Sequence, residues 1–486
     1  MAQQSNPIGT KENLLKLANT FKHDAVWPKI NGKVSFWIDQ LGPLPRRQPL
    51  SEDTTADVAI VGAGYSGLWT AYYLLKERPD LSVVVVEKEF VGFGASGRNG
   101  GWLSAEPPGK MAEYAASQGR EATLQLQRAM FATVDEVIDV ADRHGIDASI
   151  CKDGLLFVAT NSAQLQRLKQ RRKSAMHWGW ASEDLKLLTG SEMRARINVP
   201  DAFGALYTPH AARIDPGKLV RGLAEVVESL GGVIYEDTSV LEITPSILHT
   251  DRGRVRASKL AVTIEGYQSQ LRGHSRSILP MNSSMLITEP LSEDLWEEIG
   301  WRNAETLGDA AHSFTYAQRT QDGRIALGGR GIPYNFGNSF NREGRTKDSA
   351  IIQLIERLNT LFPGTQGTPI AHAWTGILGV PRDWSGTVSM NPDTGIGVAG
   401  GYVGHGVSAT NLAGRTLADF ILGKDTELTR LGWIDRSPRK WEPEPLRWLG
   451  ASTLYRAYGA ADAREATSTS GSTSLLARLA NTISGR

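Results

Sequence analysis

The sequence predicts an α/β protein in which a parallel-sheet domain is assembled from three separate segments, with a mostly antiparallel domain inserted between them. A strand, a glycine-rich turn, a helix and a second strand follow one another over residues 57–87. Helix and strand patterns return over 216–243 and again over 395–422. Between these α/β segments, above all over 278–337, short β-rich runs are separated by glycines. The parallel-sheet domain is therefore expected to be discontinuous along the chain.

The composition is that of an ordinary globular protein without a strongly charged surface. The chain has 486 residues, 41% hydrophobic and 22% charged, which is long enough for two or more units with large cores. Lys+Arg number 53 and Asp+Glu 52, so the net charge of +1 predicts no partnership with nucleic acid or an acidic membrane. The most apolar runs, 58–63 and 83–86, are far shorter than the ~20 residues that span a bilayer. They predict buried parallel strands instead.

The N-terminus and the cysteine content predict a cytoplasmic protein. Residues 1–10 are polar and lack the charged and apolar regions of a secretory signal. The single cysteine, Cys151, has no partner for an internal disulfide and cannot alone form a zinc or iron–sulfur site. We therefore expect a reducing compartment and no metal.

Two extensions flank the α/β pattern. Before Asp57, apolar residues at helical spacing precede a Pro- and Arg-rich stretch over 42–49, which predicts an extension that wraps around the main body. Those apolar residues are Leu14, Leu17, Ala18 and Phe21. After a Ser/Thr/Gly linker at 467–474, one weak helical stripe follows, formed by Leu475, Leu479 and Ile483.

Residues 62–67 form a GxGxxG motif that follows the first apolar strand and opens the first helix, the setting of a Rossmann-like dinucleotide site. Gly62 permits the tight turn, Gly64 lets the backbone approach a pyrophosphate, and Gly67 lets the helix pack close to the strand. Glu87 lies about twenty positions further on, the spacing of the acid that binds a ribose hydroxyl. Dinucleotide binding is predicted; the alternative is a purely structural turn.

A second glycine-rich segment, 92–101, follows Glu87 almost at once and allows the backbone to lie against a flat ligand. Its order, Glu-x4-Gly-x-Gly-Ala-Ser-Gly-Arg-Asn-Gly-Gly, resembles the second FAD motif of the D-amino-acid-oxidase-like (DAO) superfamily. The resemblance implies that this loop runs under the pyrophosphate and beside the isoalloxazine. The alternative is a mobile glycine loop.

Two later segments extend the resemblance. Residues 213–219, leading to Val240, are similar to the family segment in which a helix precedes a strand whose valine contacts the adenine through its backbone. Residues 400–407, followed by 411–414, resemble the C-terminal flavin motif. There a loop enters a helix whose N-terminal dipole would face the pyrimidine end of the flavin.

The resemblance covers about residues 35–423, and Trp-Glu-Pro-Glu-Pro at 441–445 is similar to bacterial members near the gamma-glutamylputrescine oxidases. It implies a glutathione-reductase-like fold of the DAO type and FAD as the cofactor. Arg98 stands where histidine-linked relatives carry their attachment residue, and the C-terminal third has no cysteine. Non-covalent FAD follows from these two departures.

The motifs and the resemblance together predict the FAD contacts and the division of the chain. The predicted cofactor-binding residues are Gly62, Gly64, Tyr65, Ser66, Gly67, Glu87, Lys88, Gly94, Ala95, Ser96, Arg98, Asn99, Gly100, Gly101, Val240, Gly404, His405, Gly406 and Val407. The predicted FAD-binding segments are 55–115, 205–275 and 379–425, and the predicted substrate-domain segments are 116–204 and 276–378. The extensions are 1–54 and 426–486.

The resemblance implies oxidation of a CH–NH or CH–NH2 bond in a small amine or amino-acid-like substrate, by hydride transfer to flavin N5. The resulting imine would hydrolyse to a carbonyl. O2, reduced to H2O2, is the expected acceptor, and an electron carrier is the alternative. His405, between two glycines of the C-terminal motif, is the candidate catalytic residue; the alternative is a loop histidine with its hydrogen bonds satisfied.

Three residues are candidate substrate contacts: Arg330 for a carboxylate, and Tyr334 and Trp374 as walls of the pocket. The alternatives are a surface turn for the first two and core packing for Trp374. Other acidic residues have no spacing that separates them from solvated carboxylates: Asp153, Glu265 and Asp309.

Two further readings of the function stay open. One is an oxidase or dehydrogenase for D-amino acids, glycine or N-methyl amino acids, with the same flavin chemistry. The other is a non-catalytic flavoprotein that serves as a redox or interaction subunit. A pure NAD(P) dehydrogenase is disfavoured by residues 94–101 and by the C-terminal motif. The sequence does not predict the oligomeric state.

Overall fold

The computed structural model describes residues 17–21, 26–329, 333–468 and 471–484. The strands are β1 (Ile30–Asn31), β2 (Thr54–Val61), β3 (Val83–Val86), β4 (Trp102–Ser104), β5 (Leu155–Ala159), β6 (Lys186–Thr189), β7 (Gly204–Thr208), β8 (Ala211–Arg213), β9 (Val233–Tyr235), β10 (Val240–Thr244), β11 (Ile247–Thr250), β12 (Gly253–Val262), β13 (Leu279–Thr288), β14 (Thr306–Asp309), β15 (Thr315–Arg319), β16 (Ile325–Gly329), β17 (Ile370–Val380), β18 (Thr387–Asn391) and β19 (Ile396–Gly400). The α-helices are α1 (Phe36–Asp39), α2 (Tyr65–Glu77), α3 (Met111–Gln118), α4 (Arg120–Arg143), α5 (Ser162–His177), α6 (Gly190–Arg194), α7 (Pro216–Ser229), α8 (Glu293–Ile299), α9 (Asp348–Leu361), α10 (Gly406–Ile421), α11 (Leu446–Thr467) and α12 (Leu475–Ser484).

The first layer is an eight-stranded sheet whose centre is parallel. Its order is β10-β11-β12-β2-β3-β9, with β19 beside β12 and β18 beside β19. The parallel neighbours are β12 with β2 and β19, β2 with β3, and β3 with β9. All four residues of β3 are valines buried on both faces, as a central parallel strand requires. The strands come from three separate stretches of chain, so the discontinuous sheet is as predicted.

Close packing of helices on this sheet depends on small residues. A Cβ atom on Gly67 of α2 would lie 2.0 Å from the carbonyl oxygen of Gly62, where the backbone φ is +101°. A Cβ on Gly414 of α10 would lie 2.6 Å from the Cβ of Trp69 in α2. Helices α2 and α10 therefore lie directly against each other, and α2 lies directly against the turn that follows β2.

The second layer is a nine-stranded sheet in the order β1-β17-β13-β16-β15-β14-β5-β7-β6. Its pairs are antiparallel except β1 with β17 and β14 with β5. Helices α8 and α9 cover one face and bury residues such as Ile351, Ile355 and Trp296 in a separate core. The predicted fold class, an α/β protein with an inserted, mostly antiparallel sheet, is confirmed.

Segment boundaries differ from the predicted ones in two places. Helix α4 falls within the predicted substrate segment 116–204, yet its buried side chains, among them Leu126, Met130 and Val134, belong to the core of the parallel layer. Strand β7 begins at Gly204 and pairs with β5 and β6 in the antiparallel sheet. Helix-forming composition alone does not tell which layer a helix packs against, because both layers accept an amphipathic face.

The N-terminal extension contacts both layers. Strand β1 pairs with β17 of the antiparallel sheet. Arg47 forms an ion pair of 2.5 Å with Glu228 of α7 and donates its backbone N–H to the fully buried Glu236. Of the residues predicted as a helical stripe in this extension, Leu14 lies outside the described residues.

Helix α12 packs against α11 through its alanines and not through the leucines of the predicted stripe. Helix α12 buries Ala477 and Ala480, whereas Leu475 and Leu479 are 75% and 64% exposed. The small alanines let α12 approach α11 closely, so the predicted leucine stripe does not form the contact. No helix in the described part of the chain is long and apolar enough to cross a membrane.

Candidate functional site

A cavity of about 1170 Å³ lies between the two sheets and collects almost every predicted cofactor residue. These residues come from the turn after β2 and the start of α2, the end of β3, the loop before β4, the start of β10, and the loop before α10 with the first residues of that helix. Those on the lining are Gly62, Gly64, Tyr65, Ser66, Glu87, Lys88, Gly94, Ala95, Ser96, Arg98, Asn99, Gly100, Val240, Gly404, His405, Gly406 and Val407. Motifs up to about 340 residues apart in sequence thus surround one space.

Gly67 and Gly101 lie behind this lining. Gly67 is the close-packing position described above. Gly101 has φ of +69°, and a Cβ there would lie 2.0 Å from Nε2 of Gln318. Both residues shape the cavity through the backbone rather than by facing it.

Glu87 lies at the carboxyl end of β3, where an open parallel sheet binds its ligand. Its carboxylate accepts hydrogen bonds of 2.9 Å from the backbone N–H groups of Ala63 and Glu89. Burial raises the pKa of Glu87 to about 7, against the opposing effect of these two donors. A ribose hydroxyl would give this carboxylate a further donor.

The loop at 92–101 is internally bonded, which argues against a mobile glycine loop. Ser96 Oγ accepts the backbone N–H of Tyr65 at 2.9 Å and so ties the loop to the first turn of α2. Asn99 donates from Nδ2 to the carbonyl of Ser96 at 2.8 Å and accepts the N–H of Gly101 at 2.8 Å. Trp37 of the N-terminal extension donates to the carbonyl of Asn99 at 2.9 Å.

Arg98 donates its hydrogen bonds to backbone carbonyl groups of the protein. Its guanidinium donates to the backbone carbonyls of Phe93 at 2.8 Å, Thr375 at 3.2 Å and Arg342 at 2.8 Å. The side chain is buried, and this burial lowers its pKa. Arg98 therefore fastens the 92–101 loop to the antiparallel layer, and its guanidinium offers no chemistry for covalent flavin attachment.

Glu265 holds the C-terminal motif and was not predicted as a site residue. Its carboxylate accepts backbone N–H groups from Gly401 at 2.7 Å, Tyr402 at 3.2 Å and Gly379 at 3.2 Å. Burial raises its pKa to about 7 despite these donors. No sequence motif surrounds Glu265, so only the fold reveals that it positions the loop before α10.

Two further observations fit a bound FAD. The hydroxyl of Tyr267, on the cavity lining, is buried and has no hydrogen-bond partner among the described residues. Helices α2 and α10 both begin at the cavity: the N-cap of α2 is Gly64, which has no side chain, and the N-cap of α10 is His405, whose side chain does not cap the helix. Helix N-termini of this kind favour phosphate or other negative charge.

His405 lies beside an ion pair between Glu106 and Arg171 that could not be predicted from the sequence. Its Nδ1 atom is 3.6 Å from Oε2 of Glu106, and Oε1 of Glu106 pairs with Arg171. Although burial raises the pKa of Glu106, Arg171 and His405 together hold it below the usual range. Glu106 is therefore charged at neutral pH.

Tyr316 and Trp102 are two of the aromatic residues on the cavity lining. Tyr316 lies against the flavin-motif loop, since a Cβ on Gly100 would be 2.6 Å from its ring. Its hydroxyl is 2.8 Å from Oγ of Ser283, and its ring meets Trp102 edge-on at 5.9 Å. Both aromatic residues line the cavity.

The structure places the predicted substrate contacts elsewhere. Tyr334 is 2% exposed, packs in a core cluster with Leu279 and Trp384, and its hydroxyl contacts Glu444. Trp374 is fully buried and donates from Nε1 to the carbonyl of Arg98 at 2.9 Å. Neither residue lines the cavity, so the prediction that they form walls of the pocket is wrong. Both are packed in the protein core. Arg330 lies outside the described residues.

A cluster of His312, Asp462 and Glu465 has the residue types of a metal site, with ligand atoms within 4.8 Å of one another. Arg167 pairs with Glu465 at 2.6 Å, and both oxygens of Asp462 accept backbone N–H groups. The arginine and these hydrogen bonds already occupy the ligand atoms. The cluster instead fastens α11 to the loop after β14.

The fold and the lining define a flavin-dependent oxidoreductase of the α/β class. The chain belongs to the DAO family of FAD dependent oxidoreductases, which it matches over residues 57–420. It is 32% identical to gamma-glutamylputrescine oxidoreductase of Escherichia coli over 387 residues, which are 77% of this chain and 85% of that protein. Glycine oxidase of Geobacillus kaustophilus is 24% identical, over 76% of this chain and 94% of that protein. A crystal structure of glycine oxidase from Geobacillus kaustophilus has the same fold, with a TM-score of 0.65 and 22% identity over 77% of this chain and 96% of that one.

Proposed function

We propose that this chain oxidises a carbon–nitrogen bond of a small amine and passes the electrons to O2, giving H2O2. The observation that carries the proposal is a single cavity in which the flavin motifs meet Tyr316, Trp102 and the His405–Glu106 pair. When bound, FAD accepts a hydride from the carbon that bears the amine, leaving an imine that water hydrolyses to a carbonyl and an amine or ammonia.

The residues of the chain have the tasks of orienting the amine and stabilising charge. Tyr316 and Trp102 offer flat apolar surface on which the carbon next to the nitrogen can be held. His405 stands at the N-terminus of α10, where the helix dipole and an imidazolium paired with Glu106 would both stabilise the negative charge that the hydride brings. Only a neutral amine can release a hydride, so the substrate must lose its proton before reaction.

The relatives favour an amine over a free α-amino acid as the substrate. The similarity to gamma-glutamylputrescine oxidoreductase, at 32% identity, exceeds that to glycine oxidase, at 24%. The open cavity also has room for more than a small amino acid beside the cofactor, since it continues past His405 to helix α5. We therefore propose an extended amine as the preferred substrate, rather than glycine, a D-amino acid or an N-methyl amino acid.

Turnover assays test this proposal. The purified protein, supplemented with FAD, is incubated under air with gamma-glutamylputrescine, putrescine, glycine, sarcosine and D-alanine, and both H2O2 and the carbonyl product are measured. We expect production of both in equal amounts, highest with gamma-glutamylputrescine. Carbonyl formation that needs an added electron carrier would reject O2 as the acceptor. Preference for glycine or D-alanine would reject the extended amine.

A further inference from the structure

One face of helix α5 lines the cavity beyond His405. Residues 167, 170, 171 and 174 all face the cavity, and their spacing of three and four positions puts them on one side of a helix. These four are Arg167, Gln170, Arg171 and Ser174; Leu168 of the same helix also lines the cavity and is apolar. All four are polar, and two are arginines one helical turn apart. The wall of the cavity that continues from the His405–Glu106 pair is therefore rich in hydrogen-bond donors.

The guanidinium groups of Arg167 and Arg171 have N–H groups that no acceptor in the described chain uses. Arg171 lies over the ring of Phe157 at 3.9 Å, is 42% exposed, and uses its Nη2 atom to pair with Glu106. Its other nitrogens make no hydrogen bond within the described chain. Nη2 of Arg167 is buried and has no hydrogen-bond partner among the described residues. A guanidinium group carries five N–H donors, so several remain for an acceptor on a ligand.

The carboxylates at this end of the cavity are already occupied. Glu106 pairs with Arg171 through one oxygen and faces His405 with the other. Asp309 accepts the backbone N–H groups of Ala311 and Thr315 with one oxygen and pairs with Arg357 through the other. The guanidinium groups therefore have N–H donors without acceptors, whereas the carboxylates of Glu106 and Asp309 already have donors. A ligand that carries acceptor oxygens would bind the remaining N–H groups.

We propose that this face of α5 is a subsite for a carboxylate carried by the substrate at the end remote from the oxidised carbon–nitrogen bond. Arg171 is the main contact, because its exposed guanidinium can present two parallel N–H groups to a carboxylate. The subsite rests on the proposed function, since it fixes which amine the cavity selects. Glu106 joins the two ends: it touches His405 on one side and Arg171 on the other.

Arg167 is the positioning partner in this subsite. It donates to the carbonyl of Ala310 at 2.8 Å and pairs with Glu465 of α11 at 2.6 Å. Helix α11 lies beyond the region that matches the DAO family, which ends at residue 420. The C-terminal extension thus holds one wall of the proposed subsite in place.

The test compares ligands that differ only in a carboxylate. Anaerobic reduction of the bound flavin is followed with 6-aminohexanoate and with 6-aminohexanamide, its neutral counterpart, and the ratio of their apparent dissociation constants is measured. Binding of hexanoate and hexanamide, which cannot be oxidised, is followed by the change in the flavin absorption spectrum. Wild-type protein is expected to prefer the carboxylate in both assays, and Arg171→Gln to reduce that preference at least tenfold.

Lys169→Gln is the matched control, because it removes one positive charge from an exposed position of the same helix that does not line the cavity. It is expected to keep the wild-type preference. The subsite would be overturned if Arg171→Gln preferred the carboxylate over the amide as strongly as wild type does. It would also be overturned if Lys169→Gln lost this preference to the same extent as Arg171→Gln. If no amine reduces the flavin, the proposed function fails, and the hexanoate assay still decides for or against the subsite on its own.

Discussion

Replacement of Glu265 by alanine is expected to destabilise the C-terminal flavin loop. The change leaves three backbone N–H groups, those of Gly379, Gly401 and Tyr402, without their acceptor in a buried region. An unsatisfied buried donor costs about 1–3 kcal/mol, and two of the three bonds are long, so we expect a loss of about 3–5 kcal/mol. FAD affinity should fall as well, because two of these groups belong to the loop that lines the cavity.

Thermal unfolding with saturating FAD measures this loss, and titration of the apo-protein with FAD measures the affinity. Glu265→Gln should be the milder variant, since its amide oxygen can still accept one or two of the N–H groups. Glu113→Ala, at an exposed position of α3, is the control and should behave as wild type. An unfolding midpoint and FAD affinity of Glu265→Ala equal to those of the control would refute the role of Glu265 as the acceptor that holds this loop.

Other perturbations test further parts of the site. Gly64→Val should abolish FAD binding, because even a Cβ would lie 2.9 Å from Oγ of Ser96 and the branched side chain would enter the pyrophosphate site; a yellow mutant would contradict this. Acid precipitation should release all the colour, and colour in the pellet would show covalent attachment. His405→Ala should lower the limiting rate of flavin reduction by ~10²-fold; a rise in substrate dissociation constant alone would place His405 in binding. The pKa of Glu87 and of Glu265 is raised from 4.5 to about 7, so folding favours their protonated forms. The contribution of these two groups to the stability of the apo-protein should therefore fall as pH rises from 4.5 to 7. Over that range the unfolding midpoint of Glu265→Gln should gain relative to that of wild type, and a constant difference between the two would contradict the shift of Glu265.

The cofactor motifs could be predicted from the sequence because each is local. The turn at 62–67 and the loop at 92–101 carry their glycines, their small residues and their flanking strand and helix within a short stretch of chain. Their geometry is decided by neighbours in sequence, so the pattern alone indicates the ligand. The two motifs meet at one cavity, as the family resemblance implies.

The substrate side could not be predicted, because its residues meet only through the fold. Glu106, Arg171 and His405 come from a loop, from α5 and from the start of α10, and no spacing connects them. Tyr316 is one strand residue among several, and only its contact with Gly100 places it at the flavin loop.

Trp374 shows why an aromatic residue is a weak predictor of a pocket wall. It lies on β17 among Trp37, Met285 and Ile287, and its indole N–H is satisfied by a backbone carbonyl. A large apolar ring gains more from such a core than from a partly open cavity. Sequence alone does not tell which face of the strand meets the core.

The most direct test of the central claim, that this cavity holds FAD and that an amine reduces it, is anaerobic titration of the purified yellow protein with gamma-glutamylputrescine. The visible absorption of the oxidised flavin should bleach with one equivalent of substrate per flavin and return on admission of air. An oxidised spectrum that persists with every amine tested, in a protein whose flavin dithionite bleaches normally, would contradict the account.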